Sequence, residues 1–455
     1  MSEDNLLLMT DSYKQSHWKQ YPENTSVVYS YLESRGGDFP ATIFFGLNYL
    51  IKRYLEGQVV TQEKIDEAES YFKPHMGIFN REGWEYILRV HGGRLPVRIK
   101  AVAEGSVVPT HNVLMTVENT DPNCFWLTNF LETLLVQVWY PTTVATLSRE
   151  CKIVIAKYMS ETSDSMDGLQ FKLHDFGCRG VSSMESAGIG GAAHLVNFMG
   201  TDTVPALVVS RRYYGESMAG YSIPAAEHST ITSWTKSEEG RAFGNMLEQY
   251  PDGLVAVVSD SYDIYNACDK LWGEELRGRV LGRNGTLVIR PDSGNPCDVV
   301  PAILKILWER FGGTTNSKGY KVLDPHVRVI QGDGVNLVSI GHILGEVKDA
   351  GFSADNLAFG MGGALLQSIN RDTQKFAFKA SYAVVNGEER EVFKQPVTDS
   401  GKNSKRGKLK LAVDDEGVYD TVPYDVICRD RLETVFENGE AIGSTTLADV
   451  RKRAR

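Results

Sequence analysis

The chain has 455 residues, of which 42% are apolar and 23% charged, and a formal net charge of −10. This is enough for two or three domains around sizeable cores, within the composition range of ordinary globular proteins. The acidic balance excludes broad non-specific binding to nucleic acid, and no window is long and apolar enough to span a membrane, so neither is expected as a partner. The opening MSEDNLLLMTDSY lacks a basic stretch followed by an apolar core, and the six cysteines form no CxxC pair. Both features lead us to expect a cytoplasmic protein with free thiols.

Up to about residue 150, strand-like runs (SVVYSYLES, RLPVRIKAVAEGSVVPTHNVLMTVEN) mix with helical patterns such as IFFGLNYLIKRYLEG and FWLTNFLETLLVQVWY, which predicts an α+β region with its own sheet. From about 165 to 370 strand and helix signals alternate, the pattern of an α/β barrel or a doubly wound sheet. Strands return after about 375 (KFAFKASYAVV, EEREVFKQPV, KLKLAVDDEG), with a basic loop, GKNSKRGK, at 401–408. This last segment is expected to pack back on the first.

Six junctions in the alternating region carry polar clusters: FKLHDFGCRG, MGTDTVPALVV, VAVVSDSYD, LVIRPDSGNP, VRVIQGDGVN and LAFGMGGALL. In five the cluster follows the apolar run; in MGTDTVPALVV the acid leads. Parallel strands joined by helices gather such ends on one rim, where distant residues converge on one ligand. Glycine lets backbone N–H groups approach phosphate, and carboxylates hold ribose hydroxyls or magnesium. Asp260 points to rim chemistry and Asp263 to a helix N-cap. Arg290 and Asp292 can share phosphate and ribose, although Pro-Asp-Ser-Gly is equally a turn sequence. Gly332 and Asp333 follow a strand, and Gly360–Gly363 open a helix as a phosphate seat. His228, beside Glu227, reads as a packed residue or a functional one. Cys178 lies in a rim cluster and reads as a small packing residue. Spacing by itself stops at an α/β enzyme acting on a phosphorylated sugar or nucleotide.

The ordered set TDSYK, YSYLESRG, HDFGCRGVSS, GTDT, GYSIPAAEHSTIT, SDSYDIYNAC, RPDSGNP, QGDGVN and NRDTQKFAFKASY resembles the nicotinamide phosphoribosyltransferase family over nearly the whole chain. The resemblance implies an α/β, barrel-like type II phosphoribosyltransferase domain (1–30 and 164–370). A second α+β domain (31–163 and 371–455) comes from both chain ends. It also implies a homodimer with shared active sites, with nicotinamide and phosphoribosyl pyrophosphate as substrates. Phe176 and the partner chain's Tyr13 are expected to sandwich the nicotinamide ring, Asp202 to accept from its carboxamide, and Arg290 to contact the base as well. Arg290, Asp292, Gly332, Asp333, Gly362, Gly363, Arg371 and Lys379 are expected around the phosphoribosyl group. Arg35, Arg179, Glu227, His228, Lys394 and Lys402 are expected, with Arg290, around pyrophosphate or ATP.

Further implications are Mg2+ near Asp260 and Asp292, directly or through water, and an optional coupling to ATP through phosphorylation of His228. Ala377 stands where some relatives carry serine, and the segment after Arg35 is shorter than in vertebrate members. The rivals are a nicotinate-specific enzyme, which Asp202 disfavours because a carboxylate repels nicotinate, and a silent nucleotide sensor.

Overall fold

The computed structural model describes residues 5–398 and 402–455; Gly401, the first residue of the basic loop, lies outside them. Two compact units result. The first takes the chain up to Thr146, Arg211–Glu216 and Asn370 onward; the second takes Leu147–Ser210 and Ser217–Ile369.

The first unit is built on a seven-stranded sheet in which the ten-residue Thr25–Ser34 is an interior strand. Val and Tyr residues favour the extended backbone there, and the strand pairs antiparallel with Phe376–Val385 on one side and Val113–Asn119 on the other. Helices Gln62–Met76 and Arg81–His91 start on Thr61 and Asn80 side-chain caps and end at left-handed Gly77 and Gly92. The amphipathic second helix buries Trp84 edge-on against Trp126 and Phe130.

The second unit carries six parallel strands in the order Gly200–Thr201, Leu173–Asp175, Leu357–Met361, Val327–Gln331, Leu287–Arg290, Val255–Val258. Strands such as VAVV are apolar throughout because both faces are covered. Polar caps stop the connecting loops. Asp263 accepts from Tyr265 N and Asn266 N at 3.0 Å, the expected capping role. Asn295 and Asn336 cap the next two helices, Pro296–Phe311 and Leu337–Asp349.

The extended segment Tyr221–Ala226 closes this curled sheet. It bridges Gly200 on one edge and Ala256 on the other, both in parallel. Thr201 N donates to Tyr221 O (3.0 Å), and Ala226 N to Ala256 O (2.9 Å). A barrel-like interior results, lined by alternate residues of each strand.

Three expectations are corrected. VPALVV is not a strand: it opens the helix Val204–Tyr214, and the strand is the two-residue Gly200–Thr201. All six clusters therefore follow their strands. The residues before Thr25–Ser34 group with the first unit rather than the barrel, since that strand is paired on both sides within the antiparallel sheet. Residues 147–163 and 211–216 also change sides. Ser148 bonds buried His194 at 3.0 Å within the barrel unit, whereas Tyr214 stacks on Phe45 at 4.9 Å in the first.

Candidate active site

Alternation along the strands turns one set of side chains into the barrel interior. His174, Ala256, Val288, Ile330 and Ala358 face it, and two residues on in their strands Phe176, Arg290, Gly332 and Gly360 lie on the same face toward the strand ends. The two glycines make room for Phe176. A Cβ at Gly360 would lie 1.9 and 2.1 Å from ring carbons of Phe176, and one at Gly332 would lie 3.5 Å from the ring and 3.3 Å from Asp292 Oδ1. The ring is thus laid across neighbouring strand ends, packed on Ala256, Val288 and Ile330 with Ile223 and Ala358.

Beside it opens a cavity of about 490 Å³ bounded by Phe176, Asp202, Ser222, Arg290 and the apolar interior, continuing to Arg328 and Asp355. Apolar walls with few polar groups suit a flat heteroaromatic. The Ser222 hydroxyl donates to Asp202 Oδ1, leaving the other oxygen for a ligand. Arg290 Nε is buried without a partner, a donor directed at nothing in the protein. His174, near Asp202, has its pKa lowered by burial and so favours the neutral ring.

The second cluster is carboxylate and imidazole. His228 Nε2 lies 3.0 Å from Asp260 Oδ1, and Ser293 donates its hydroxyl to the other Asp260 oxygen. A carboxylate only accepts, so Nε2 donates to Asp260, while Nδ1 lies 3.9 Å from Asp292 Oδ2. Asp292 also faces Arg290 at 3.8 Å. Burial raises its pKa; Arg290 and His228 oppose the rise, and Asp260 and Asp333 add to it. Its oxygens have no protein donor at hydrogen-bond distance, and carboxylate oxygens are the donors Mg2+ takes, so Asp292 and Asp260 are the residues here that could hold that ion.

The barrel unit thus brings together Phe176, Asp202, His228, Asp260, Arg290, Asp292 and Gly332, with Asp333 on the adjoining exposed turn. Glu227 does not orient His228: its carboxylate takes the Ser229 hydroxyl. Arg179 is exposed. Gly362 and Gly363 open a helix of one turn only, Gly363–Leu366, a weaker phosphate seat than the longer helix expected.

Tyr13, Arg35, Arg371, Lys379, Lys394 and Lys402 belong to the first unit. Tyr13 is 57% exposed; Arg35 is tied to Glu33, and Arg371 lies near Asp372. Burial lowers the Lys379 pKa, Glu132 resists, and Arg35, Lys14 and Lys394 reinforce it, so these cations share one neighbourhood. Lys394 N bonds Ser404 Oγ at 2.8 Å, and Lys402 is exposed. The side chains that could share a metal by proximity, among the described residues, are His91, Asp121 and Cys124. Asp121 there already accepts from His91, Tyr86 and Asn123, a filled cap rather than a metal seat.

Sequence reasoning missed His174, Tyr221, Ser222 and Ser293. Alternation in LHDF placed His174 on the same face as Phe176; the other three carried no local signal.

Such a rim on such a barrel defines a class of protein that binds a flat base beside a phosphorylated sugar. A model of the nicotinate phosphoribosyltransferase (NAPRTase) family matches residues 171–440, and one of the nicotinamide phosphoribosyltransferase N-terminal domain matches 5–99. The chain is 54% identical to a nicotinamide phosphoribosyltransferase of Xanthomonas campestris over 99% of its own length and 98% of the relative's. It is 36% identical to one of Acinetobacter baylyi, covering 99% and 97%. Among solved structures it resembles nicotinate-nucleotide pyrophosphorylase of Pyrococcus furiosus (TM-score 0.62, 15% identity, 100% and 96% covered). It also resembles human nicotinic acid phosphoribosyltransferase (TM-score 0.57, 15% identity, 98% and 93% covered). The chain belongs to the nicotinate phosphoribosyltransferase family, and within it the relatives that match over full length are nicotinamide phosphoribosyltransferases.

Proposed function

We propose that this chain condenses nicotinamide with 5-phosphoribosyl 1-pyrophosphate, giving nicotinamide mononucleotide and pyrophosphate for NAD synthesis. The observation that carries the choice of base is Asp202. A carboxylate held by Ser222 at the cavity wall accepts from a carboxamide NH2 and repels a carboxylate. Phe176 supplies one face of the ring stack, and Arg290 Nε donates to the bound base or the adjoining ribose.

The pyridine nitrogen is unprotonated near neutral pH and needs no general base. It attacks C1 of the sugar as the C1–O bond to pyrophosphate breaks, through an oxocarbenium-like state. Catalysis is then alignment and charge stabilisation. Phe176 and Asp202 fix the nucleophile's angle; Arg290, Asp292, Gly332, Asp333, Gly362 and Gly363 hold the phosphoribosyl group. Arg179 and Glu227 border the leaving group's side, where Asp292 and Asp260 would hold Mg2+, which would supply charge neutralisation for the pyrophosphate.

ATP coupling is assigned to His228, whose ring Asp260 fixes through Nε2. A homodimer supplies Tyr13 to the partner's ring site, and Arg35, Arg371, Lys379, Lys394 and Lys402 bring positive charge to the phosphates. Such an enzyme works in the cytoplasm.

The test incubates the protein with magnesium, phosphoribosyl pyrophosphate and either nicotinamide or nicotinate, with and without ATP, and quantifies both mononucleotides. Selective formation of nicotinamide mononucleotide is expected; equal or preferred use of nicotinate overturns the role given to Asp202.

A further inference from the structure

Asp175 ends its strand one residue before Phe176, is fully buried, and touches neither the cavity nor the His228 cluster. Three bonds converge on this point. Its Oδ1 accepts from Gly177 N at 2.7 Å, arching over Phe176; its carbonyl accepts from Asp202 N at 3.0 Å; and Phe176 N donates to Met361 O at 3.0 Å. Oδ2 and the buried Thr203 hydroxyl face each other on the Asp202 side with no other partner. A Cβ at Gly191 would stand 3.0 Å from Oδ2, so the helix Met184–His194 approaches the carboxyl closely only because that residue is glycine.

We infer that Asp175 is a positioning residue for base selection: one side chain and one carbonyl lock the ring wall, Phe176, to the amide wall, Asp202. The inference rests on reading those two residues as the base pocket. The physical reason is geometric. Phe176 lies on a turn just past its strand end, held to the sheet by the last ladder bond, Phe176 N to Met361 O, and the Oδ1–Gly177 bond closes that turn. Asp202 follows a strand of only two residues, and its N–H to the Asp175 carbonyl is the last bond of that short ladder. Loss of the Asp175 side chain therefore loosens the Phe176 turn directly and the Asp202 bond through the shared backbone, and leaves Arg290 and Asp292, on another strand, in place.

The test measures KM for nicotinamide and for phosphoribosyl pyrophosphate, kcat, and nicotinamide-over-nicotinate preference, with a thermal melt for each variant. Asp175→Ala removes the acceptor and is expected to raise nicotinamide KM roughly tenfold and relax base preference. KM for phosphoribosyl pyrophosphate stays within about twofold. Asp175→Asn keeps an acceptor oxygen for Gly177 N–H and restores nicotinamide KM to near wild type. If the alanine chain does not fold, Asp175→Ser, whose hydroxyl reaches the same N–H more weakly, is expected to show the same split at several-fold size. Equal changes in both KM values, a fall in kcat alone, or failure of asparagine to rescue overturns the proposal. A wild-type protein that makes no nicotinamide mononucleotide overturns the pocket reading itself, and the Asp175 assignment with it.

Discussion

Gly360→Ala probes the site through a residue with no side chain. The added Cβ would stand 1.9, 2.1 and 2.7 Å from three carbons of the Phe176 ring. Ordinary carbon contacts are about 3.5–4.0 Å, so the ring must retreat by about 1.5–2 Å. The alanine sits in the Leu357–Met361 strand between two paired neighbours, so the ring rather than the backbone gives way. An aromatic stack is worth about 0.5–1.5 kcal/mol beyond area burial, and 1.4 kcal/mol is a factor of ten. Nicotinamide KM is thus expected to rise roughly tenfold, at an overpacking cost in stability of about 1–3 kcal/mol. Initial rates at saturating phosphoribosyl pyrophosphate read the first effect, and denaturant unfolding reads the second. A Phe176→Ala background supplies the control: with the ring gone, the added methyl should cost little more. A folded Gly360→Ala protein with unchanged nicotinamide KM, or full additivity with Phe176→Ala, would refute the packing argument.

Asp202→Asn removes the charge and adds an NH2 donor at the cavity wall; preference for nicotinamide over nicotinate should fall at least tenfold by product assay, and full retention would dismiss electrostatic selection. His228→Ala should abolish ATP stimulation while leaving basal transfer measurable, and undiminished stimulation would remove His228 from the coupling. Burial pushes the Asp175 carboxyl up to about 6 from its ordinary 3.8, with Gly177 N–H and Thr203 resisting and Asp202 adding to the rise. The native state therefore prefers the protonated acid. Its stabilising share is complete below about pH 4 and is lost as pH rises through about 6, about 3 kcal/mol in all. Asp175→Asn cannot ionise, so its melting temperature relative to wild type should climb between pH 4 and pH 7; a pH-independent difference would contradict this.

The strands and their polar ends follow from local pattern. Apolar runs stopped by Asp, Gly or Arg announce a parallel sheet buried on both faces, and Asx caps such as Asp263 and Asn295 fix where helices begin. Side-chain alternation then puts Phe176, Arg290, Gly332 and Gly360 on one face. Chemistry at a strand end depends on residues close in sequence, so the sequence by itself determined the rim, its acids and its arginines. The tertiary structure decided what pairing and packing decide. SIPAA has no strand signature, yet Tyr221–Ala226 bridges both edges of the sheet and brings Ser222 to Asp202. The apolar run VPALVV suits strand or helix equally, and only the sheet's register made it a helix. Thr25–Ser34 has a strand pattern but no label for its partner, which lies about 350 residues away in Phe376–Val385. The space at Gly360 is filled from another strand's end, by Phe176. Periodicity is a local property of the chain, whereas register, closure and close approach are set by which distant surfaces bury one another.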